Sequence, residues 1–173
     1  GWESISYGGE GEVEQRDGWT MLPMGVALTG IRRPQGLPRN IDYELELTAR
    51  RDLGSDFFCG LTFPVHDEFA TLIIGGWGGG LCGISCIDMR DASDNDTKSI
   101  RNLRDKQAYS IRLRVQALRI QAWLDGELIV DANIQGKSLC LRTEVLASAP
   151  LGISSYITSA AIGELRYRPL GQP

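Results

Sequence analysis

The sequence predicts an all-β protein, a two-sheet jelly-roll sandwich. Three observations carry this expectation. Residues 69–87 form nineteen uncharged positions that include six glycines, Gly75, Gly76, Gly78, Gly79, Gly80 and Gly83. Glycine costs a helix roughly 1 kcal/mol relative to alanine, so the stretch reads as two buried strands around a glycine turn, not as a membrane span. Elsewhere apolar and polar residues alternate with a period of two, as half-buried strands require. No segment carries a helical apolar stripe.

Taken in chain order, residues 2–7, 19–23 and 26–31 read as short strands. In 42–50, Tyr43, Leu45, Leu47 and Ala49 alternate with Glu44, Glu46, Thr48 and Arg50. Residues 56–63 follow, with Phe57, Cys59, Leu61 and Phe63 expected to face the core and Asp56, Phe58 and Thr62 expected to face away. Strands 70–75 and 81–87 flank the glycine turn that carries Trp77. Residues 109–115 set Tyr109, Ile111, Leu113 and Val115 against Ser110, Arg112 and Arg114. Residues 118–124 set Leu118, Ile120, Ala122 and Leu124 against Arg119, Gln121 and Trp123. Asp125-Gly126 is a tight-hairpin signal leading into 127–132. Strands at 151–157 and 161–168 complete about a dozen, the number a sandwich or jelly roll needs.

The 173 residues are expected to form a single domain spanning 1–173, long enough to bury a large core. Charged residues make up 23% and the net charge is −4, with lysine and arginine scattered. That argues against a nucleic-acid partner, whose phosphates need a basic patch. The sequence points to no cofactor and assigns no oligomeric state.

Several chemical motifs fail on context. Gly78, Gly80 and Gly83 fit a dinucleotide-binding spacing, but a strand follows where a helix should open. No GxSxG elbow occurs, and His66 has no nucleophile at a recognisable offset. Glu44 and Glu46 lie two apart on one strand, as glucanase acids do, yet read as its wet face. Glu10 and Glu12, among Gly8, Gly9 and Gly11, are a better acidic pair.

The four cysteines, Cys59, Cys82, Cys86 and Cys140, form no CxxC pair, and with one histidine they point to no metal centre. Buried free thiols are the expectation. A bond from Cys59 to Cys82 or Cys86 stays open, provided their strands are neighbours. The polar interruption at 88–105 reads as a long surface loop. Its Asp88, Asp91, Asp94, Asn95 and Asp96 offer oxygen ligands, but the spacing misses the EF-hand pattern, and a solvated acidic loop is expected. Asn95-Asp96-Thr97 also spells a glycosylation sequon.

The aromatics say more. Trp123 falls on the polar face of its strand beside Gln121, Trp77 sits in the glycine turn, and Tyr156 falls out of phase with Ile153, Ser155 and Ile157. An aromatic plane flanked by polar groups suits a sugar, whose C–H faces stack while its hydroxyls take hydrogen bonds.

Residues 8–13 (GGEGEV), 54–65 (GSDFFCGLTFPV) and 75–79 (GGWGG), with Ile87-Asp88, Asp91-Ala92-Ser93, Ala122-Trp123 and Pro150-Leu151-Gly152-Ile153, resemble a bacterial family. That family is the 3-keto-disaccharide hydrolase domain, long described as a domain of unknown function. The resemblance runs from Trp2 to Leu170 and is closest to a planctomycete-type branch. It implies a concanavalin A-like lectin/glucanase jelly roll, a carbohydrate ligand such as a disaccharide or glycoside, and an extracytoplasmic location.

Two functions follow as expectations. One is cleavage of 3-keto-glycosides on the concave sheet, with Asp56, Glu10 or Glu12 as base and Arg114 steadying an enolate. The other is a non-catalytic carbohydrate-binding module. Both use Trp77, Trp123 and Tyr156 as platforms, with Thr62 and Gln121 as polar contacts. Asp56 and Trp123 are expected to share one sheet surface.

Overall fold

Alternation of apolar and polar residues resolves into fifteen strands in the computed structural model, which describes residues 1–171. In chain order they are β1 (Glu3–Ser4), β2 (Glu14–Arg16), β3 (Trp19–Leu22), β4 (Leu28–Arg32), β5 (Tyr43–Gly54), β6 (Cys59–Val65), β7 (Glu68–Gly76) and β8 (Leu81–Ser85). There follow β9 (Ser99–Ile100), β10 (Ala108–Gln116), β11 (Arg119–Leu124), β12 (Glu127–Asn133), β13 (Gly152–Tyr156), β14 (Thr158–Ile162) and β15 (Arg166–Pro169). The described helices are two short 3-10 turns, Ala92–Asp94 and Thr143–Ser148. None of the described helices is long and apolar enough to cross a membrane.

The strands form two antiparallel sheets. A seven-stranded sheet runs β1-β4-β13-β6-β7-β8-β9, and an eight-stranded sheet runs β12-β11-β10-β5-β14-β3-β2, with β15 also on β5. Between them lies one core. Leu45, Leu47, Ile111, Leu113, Ile120 and Ala122 come from the larger sheet, and Leu61, Phe63, Leu72, Ile74, Ile84 and Ile153 from the smaller. Burying each large aliphatic side chain contributes about 1.5–3 kcal/mol. Tyr43 bridges the layers: its hydroxyl donates to the Pro64 carbonyl at 2.6 Å, and burial pushes that phenol well above its usual range.

The Asp125-Gly126 turn joins β11 to β12, with Asp125 at φ 48° and Gly126 at φ 81°, as a primed hairpin turn requires. Other boundaries differ from the sequence expectation. The 2–7 strand shrinks to Glu3–Ser4, and 161–168 separates into the end of β14 and β15. The 88–105 loop is not wholly irregular, since it carries the first 3-10 turn and β9. β6 begins at Cys59, and the irregular backbone before it changes the phase: Phe58 enters the core and Phe57 faces out, the reverse of the expected order.

In the middle of the smaller sheet, most residues facing away from the core are short. Register places Gly152, Thr62, Thr71 and Ser85 in one row across β13, β6, β7 and β8. The next row holds Gly30, Ser154, Gly60, Ile73 and Gly83. Short side chains let other segments lie against this face. The Thr143–Ser148 turn rests on it, with the Ser148 hydroxyl 2.6 Å from that of Thr62. A Cβ on Gly152 would stand 2.4 Å from the Ser148 carbonyl oxygen, so the approach depends on glycine there.

Candidate functional site

The uncovered part of that outer face is a cleft of about 330 Å³. Its floor is Thr71, Ile73 and Ser85, from β7 and β8. Its walls are Leu28, Phe57, Trp77, Val145 and Tyr156, and its charged groups are Asp56, Arg142 and Glu144. The volume lies at the small end of the range for ligand sites, and the mix of apolar walls with a few polar groups is typical of them.

Each side chain is positioned by local structure. Phe57 lies across Gly60, where a Cβ would come within 2.9 Å of its ring, and its ring stacks beside Tyr156 at 5.9 Å and 24°. Trp77, at φ 46° in the turn between β7 and β8, is 43% exposed and free to meet a ligand. Arg51 ties this end together from beneath. It is buried, donates to the Asp56 carbonyl at 3.1 Å and the Leu103 carbonyl at 3.1 Å, and pairs with Asp105 at 2.8 Å.

Asp56 is half-buried at the cleft edge. Burial raises its carboxyl above the ordinary value of 3.8, against backbone hydrogen bonds from Phe57 and Trp77 and the charge of Arg51, which lower it. One carboxylate oxygen accepts from the Phe57 amide at 2.8 Å. Across the cleft, Arg142 donates to Glu144 at 3.2 Å and to Asp91 at 3.0 Å. The Arg142 bond, with one from the backbone of Glu144 itself, holds the Glu144 carboxyl below its usual range. An acid with a raised titration thus lines the same cleft as a paired, fully charged Arg–Glu couple.

Of the residues singled out in sequence, the cleft collects Asp56, Trp77 and Tyr156. It does not collect the others. Thr62 belongs to the same sheet face, but it is only 1% exposed, covered by the Thr143–Ser148 turn and bonded to Thr71 and Ser148. Glu10 and Glu12 sit in the glycine loop beside β4, tied by the Gly11 amide to the Thr29 hydroxyl at 2.9 Å, and line no part of the cleft. Backbone hydrogen bonds, first from its own amide and then from Gly8, hold the Glu10 carboxyl below its ordinary value.

Trp123, Gln121 and Arg114 belong to β11 and β10 of the larger sheet, so Asp56 and Trp123 do not share a surface. The Trp123 ring is occupied there. The Arg112 guanidinium lies 4.0 Å from its centroid and that of Arg114 5.3 Å. Arg114 is further committed to Glu44 at 2.6 Å, and Glu44 also accepts from Arg168.

Sequence reasoning missed Phe57 as a lining residue, together with Thr71, Ser85, Arg142 and Glu144. The phase change before β6 hid the first. Glu144 sits in a short 3-10 turn and Arg142 caps its start, with no periodic signal. The acidic 88–96 stretch gathers no site: Asp91 bonds the Ser93 amide and Arg142, Asp88 bonds the Ser138 amide, and the Asn95 side chain donates to the carbonyls of Ile84, Arg90 and Asp91. Among the described residues no three His, Cys, Asp or Glu side chains converge as metal ligands. Cys59 and Cys82 are not neighbours either, because β7 runs between them, with Ile74 paired to both.

No family model matches the chain, and no curated protein matches it in sequence. Solved structures do match in shape. Carbohydrate-binding module CBM66 from Bacillus subtilis is similar with a TM-score of 0.65 at 12% identity, over 97% of this chain and 95% of that one. Domain 4 of AbnA, a GH43 extracellular arabinanase from Geobacillus stearothermophilus solved with arabinotriose, gives 0.62 at 13% identity, over 97% and 82%. Alginate lyase A1-II′, of polysaccharide lyase family 7, gives 0.56 at 8% identity, over 91% and 82%. At these identities the likeness is one of fold. The chain is an all-β, two-sheet jelly roll, and the neighbours named here are carbohydrate-binding and carbohydrate-cleaving domains.

Proposed function

We propose that this protein is a carbohydrate-active domain that takes a short saccharide in the cleft on the outer face of its smaller sheet. The observation that carries this reading is the lining. Trp77, Phe57 and Tyr156 offer aromatic surface to sugar C–H faces, while Asp56, Arg142, Glu144 and the hydroxyls of Thr71 and Ser85 offer hydrogen bonds. The named structural neighbours are consistent with such a ligand.

The substrate class we propose is the 3-keto-disaccharide, with the protein acting outside the cytoplasm. A ketone at C3 acidifies the C2 proton. Asp56 takes that proton, and burial, by raising its carboxyl, strengthens it as a base. Arg142, not Arg114, is the cation on the correct face to steady the enolate. The electron pair from C2 then expels the glycosidic oxygen from C1, which leaves as an alcohol with the proton that Asp56 returns. Water adds across the resulting C1–C2 double bond, its hydroxyl to C1 and its proton to C2.

The second reading, a binding module without turnover, is favoured by the hydrogen bonds that already engage Asp56. Titration with plain and 3-keto-disaccharides, followed by tryptophan fluorescence and by release of free sugar, separates the two. Tyr156→Ala and Trp77→Ala should weaken binding about 10- to 100-fold, the loss of roughly 1–3 kcal/mol of stacking and burial. Trp123→Ala should leave it unchanged. Sugar release that Asp56→Asn abolishes supports the enzyme, and binding without release supports the module. If no saccharide binds, the carbohydrate reading fails.

A further inference from the structure

Residues 138–140 run antiparallel to 86–88. The Cys86 amide donates to the Cys140 carbonyl at 2.8 Å, and the Cys140 amide donates back to the Cys86 carbonyl at 3.3 Å. Ile87 pairs with Leu139 beside them, and the Asp88 amide donates to the Ser138 carbonyl at 2.9 Å. Cys86 and Cys140 are therefore directly opposite on a two-stranded ladder. Such residues project to the same side, with Cα atoms about 5.5 Å apart, which is the usual separation across a disulfide.

The Cys86 thiol contacts the Ser85 hydroxyl at 3.4 Å, and the Cys140 thiol approaches the Met89 sulfur at 3.8 Å. Cys86 is buried and Cys140 half-buried, so one of the pair is open to reagent. The other two cysteines differ. Cys59 and Cys82 are separated by β7, about two strand spacings of ~4.8 Å, and burial pushes the Cys59 thiol up to about 12.

We propose that Cys86 and Cys140 form a dithiol–disulfide site that clamps one wall of the cleft. The oxidant is an external small-molecule disulfide. The Cys140 thiolate attacks it, forming a mixed disulfide and expelling one thiolate. The Cys86 thiolate then attacks the Cys140 sulfur and expels the second. Two thiol protons and two electrons leave the protein, and one external disulfide becomes two thiols.

The location gives the bond its effect. Ser85, on the cleft floor, precedes Cys86. Arg142, Glu144 and Val145, on the wall, follow Cys140 within five residues. Oxidation would pin the start of the Thr143–Ser148 turn to the end of β8. It would also close a long loop, which mainly restricts the unfolded chain. The proposal does not rest on the saccharide reading.

The test uses the full chain, reduced, desalted and equilibrated with mixtures of reduced and oxidised glutathione, then alkylated and mapped by mass spectrometry. The expected product lacks two hydrogens, carries a Cys86–Cys140 crosslinked peptide, and melts on the order of 5–15 °C higher than the reduced form. Cys140→Ser and Cys86→Ser should lose both the crosslink and the shift, while Cys59→Ser keeps them. Free thiols after excess oxidised glutathione, a persistent glutathione adduct without an internal bond, or a crosslink to another cysteine would each overturn the proposal. These readings come from the wild-type chain, so they hold even if a variant fails to fold. An oxidised form with an unshifted melting temperature would remove the clamp.

Discussion

Both terminal nitrogens of Arg51 converge on the carbonyl oxygen of Gly79, at 3.1 and 2.9 Å. The strand that builds the core thereby holds the loop that presents Trp77. Gly79 adopts φ 115°, and its carbonyl points into the protein, where nothing but a fixed donor can replace water. Arg51 reaches it because β5 extends to Gly54, past the end of its pairing with β10.

Replacing Arg51 with methionine keeps the packing of the stem and removes every one of those donors. The carbonyls of Asp56, Gly79 and Leu103 lose partners. The expected cost is about 3–5 kcal/mol, measured as a lower midpoint in urea, with Trp77 fluorescence shifting before the main transition. A midpoint equal to wild type would mean that the loop holds itself.

Gly152→Ala tests how the helical turn sits on the sheet. The added Cβ would meet the Ser148 carbonyl at 2.4 Å and the Ser148 Cβ at 2.8 Å. Overpacking of this kind costs about 1–3 kcal/mol. It should also loosen the turn, seen as faster hydrogen exchange in 143–148 while β10 stays protected.

Glu44 gives the protein an acid-sensitive contact on the opposite sheet. Burial pushes its carboxyl up, but hydrogen bonds from Arg168 and Arg114 outweigh this and hold it below 4.5. A lowered folded value stabilises the protein above the ordinary carboxylate range, and that stability is lost as pH falls through the folded value. Glu44→Gln should therefore melt lower than wild type at neutral pH, by about 1–2 kcal/mol, since the arginines keep part of their hydration. The two curves should converge as pH falls through the folded value of Glu44. A gap that is constant with pH would assign the effect to packing.

Asp56 works in the other direction. Its carboxyl is raised above 3.8 chiefly by burial, so ionising it costs folding free energy, and stability should increase slightly as pH falls through its folded value. Carbon-detected NMR of the side chain should report a midpoint above 3.8, and occupation of the cleft by a neutral saccharide should raise it further by excluding water. A midpoint at or below 3.8 would remove the case for Asp56 as a base.

The alternation in 42–50, 109–115 and 118–124 and the Asp125-Gly126 turn made the larger sheet legible, because each strand buries one face and period two reports that directly. Sheet membership was not legible. Alternation states that Trp123 and Asp56 both point away from the core, but it does not say on which side of the sandwich. Which side depends on crossovers such as β5 to β6, made through long-range pairing. The cleft itself is half-built from Arg142 and Glu144, whose neighbours on the sheet, Thr71 and Ser85, lie more than fifty residues earlier. The order of Phe57 and Phe58 was misread because irregular backbone before β6 breaks the count of two.

Asn95 has a consequence for how this protein is produced. Its side-chain nitrogen, the atom that a glycan would be attached to, already donates to three backbone carbonyls, and its oxygen accepts from the Thr97 amide and hydroxyl. The folded chain thus keeps its own acceptor atom out of reach of a transferase. A sugar on Asn95 would therefore date the modification to the interval before folding. In a glycosylating expression host, the mass of that sugar would separate chains trapped in the secretory pathway from those that had already closed.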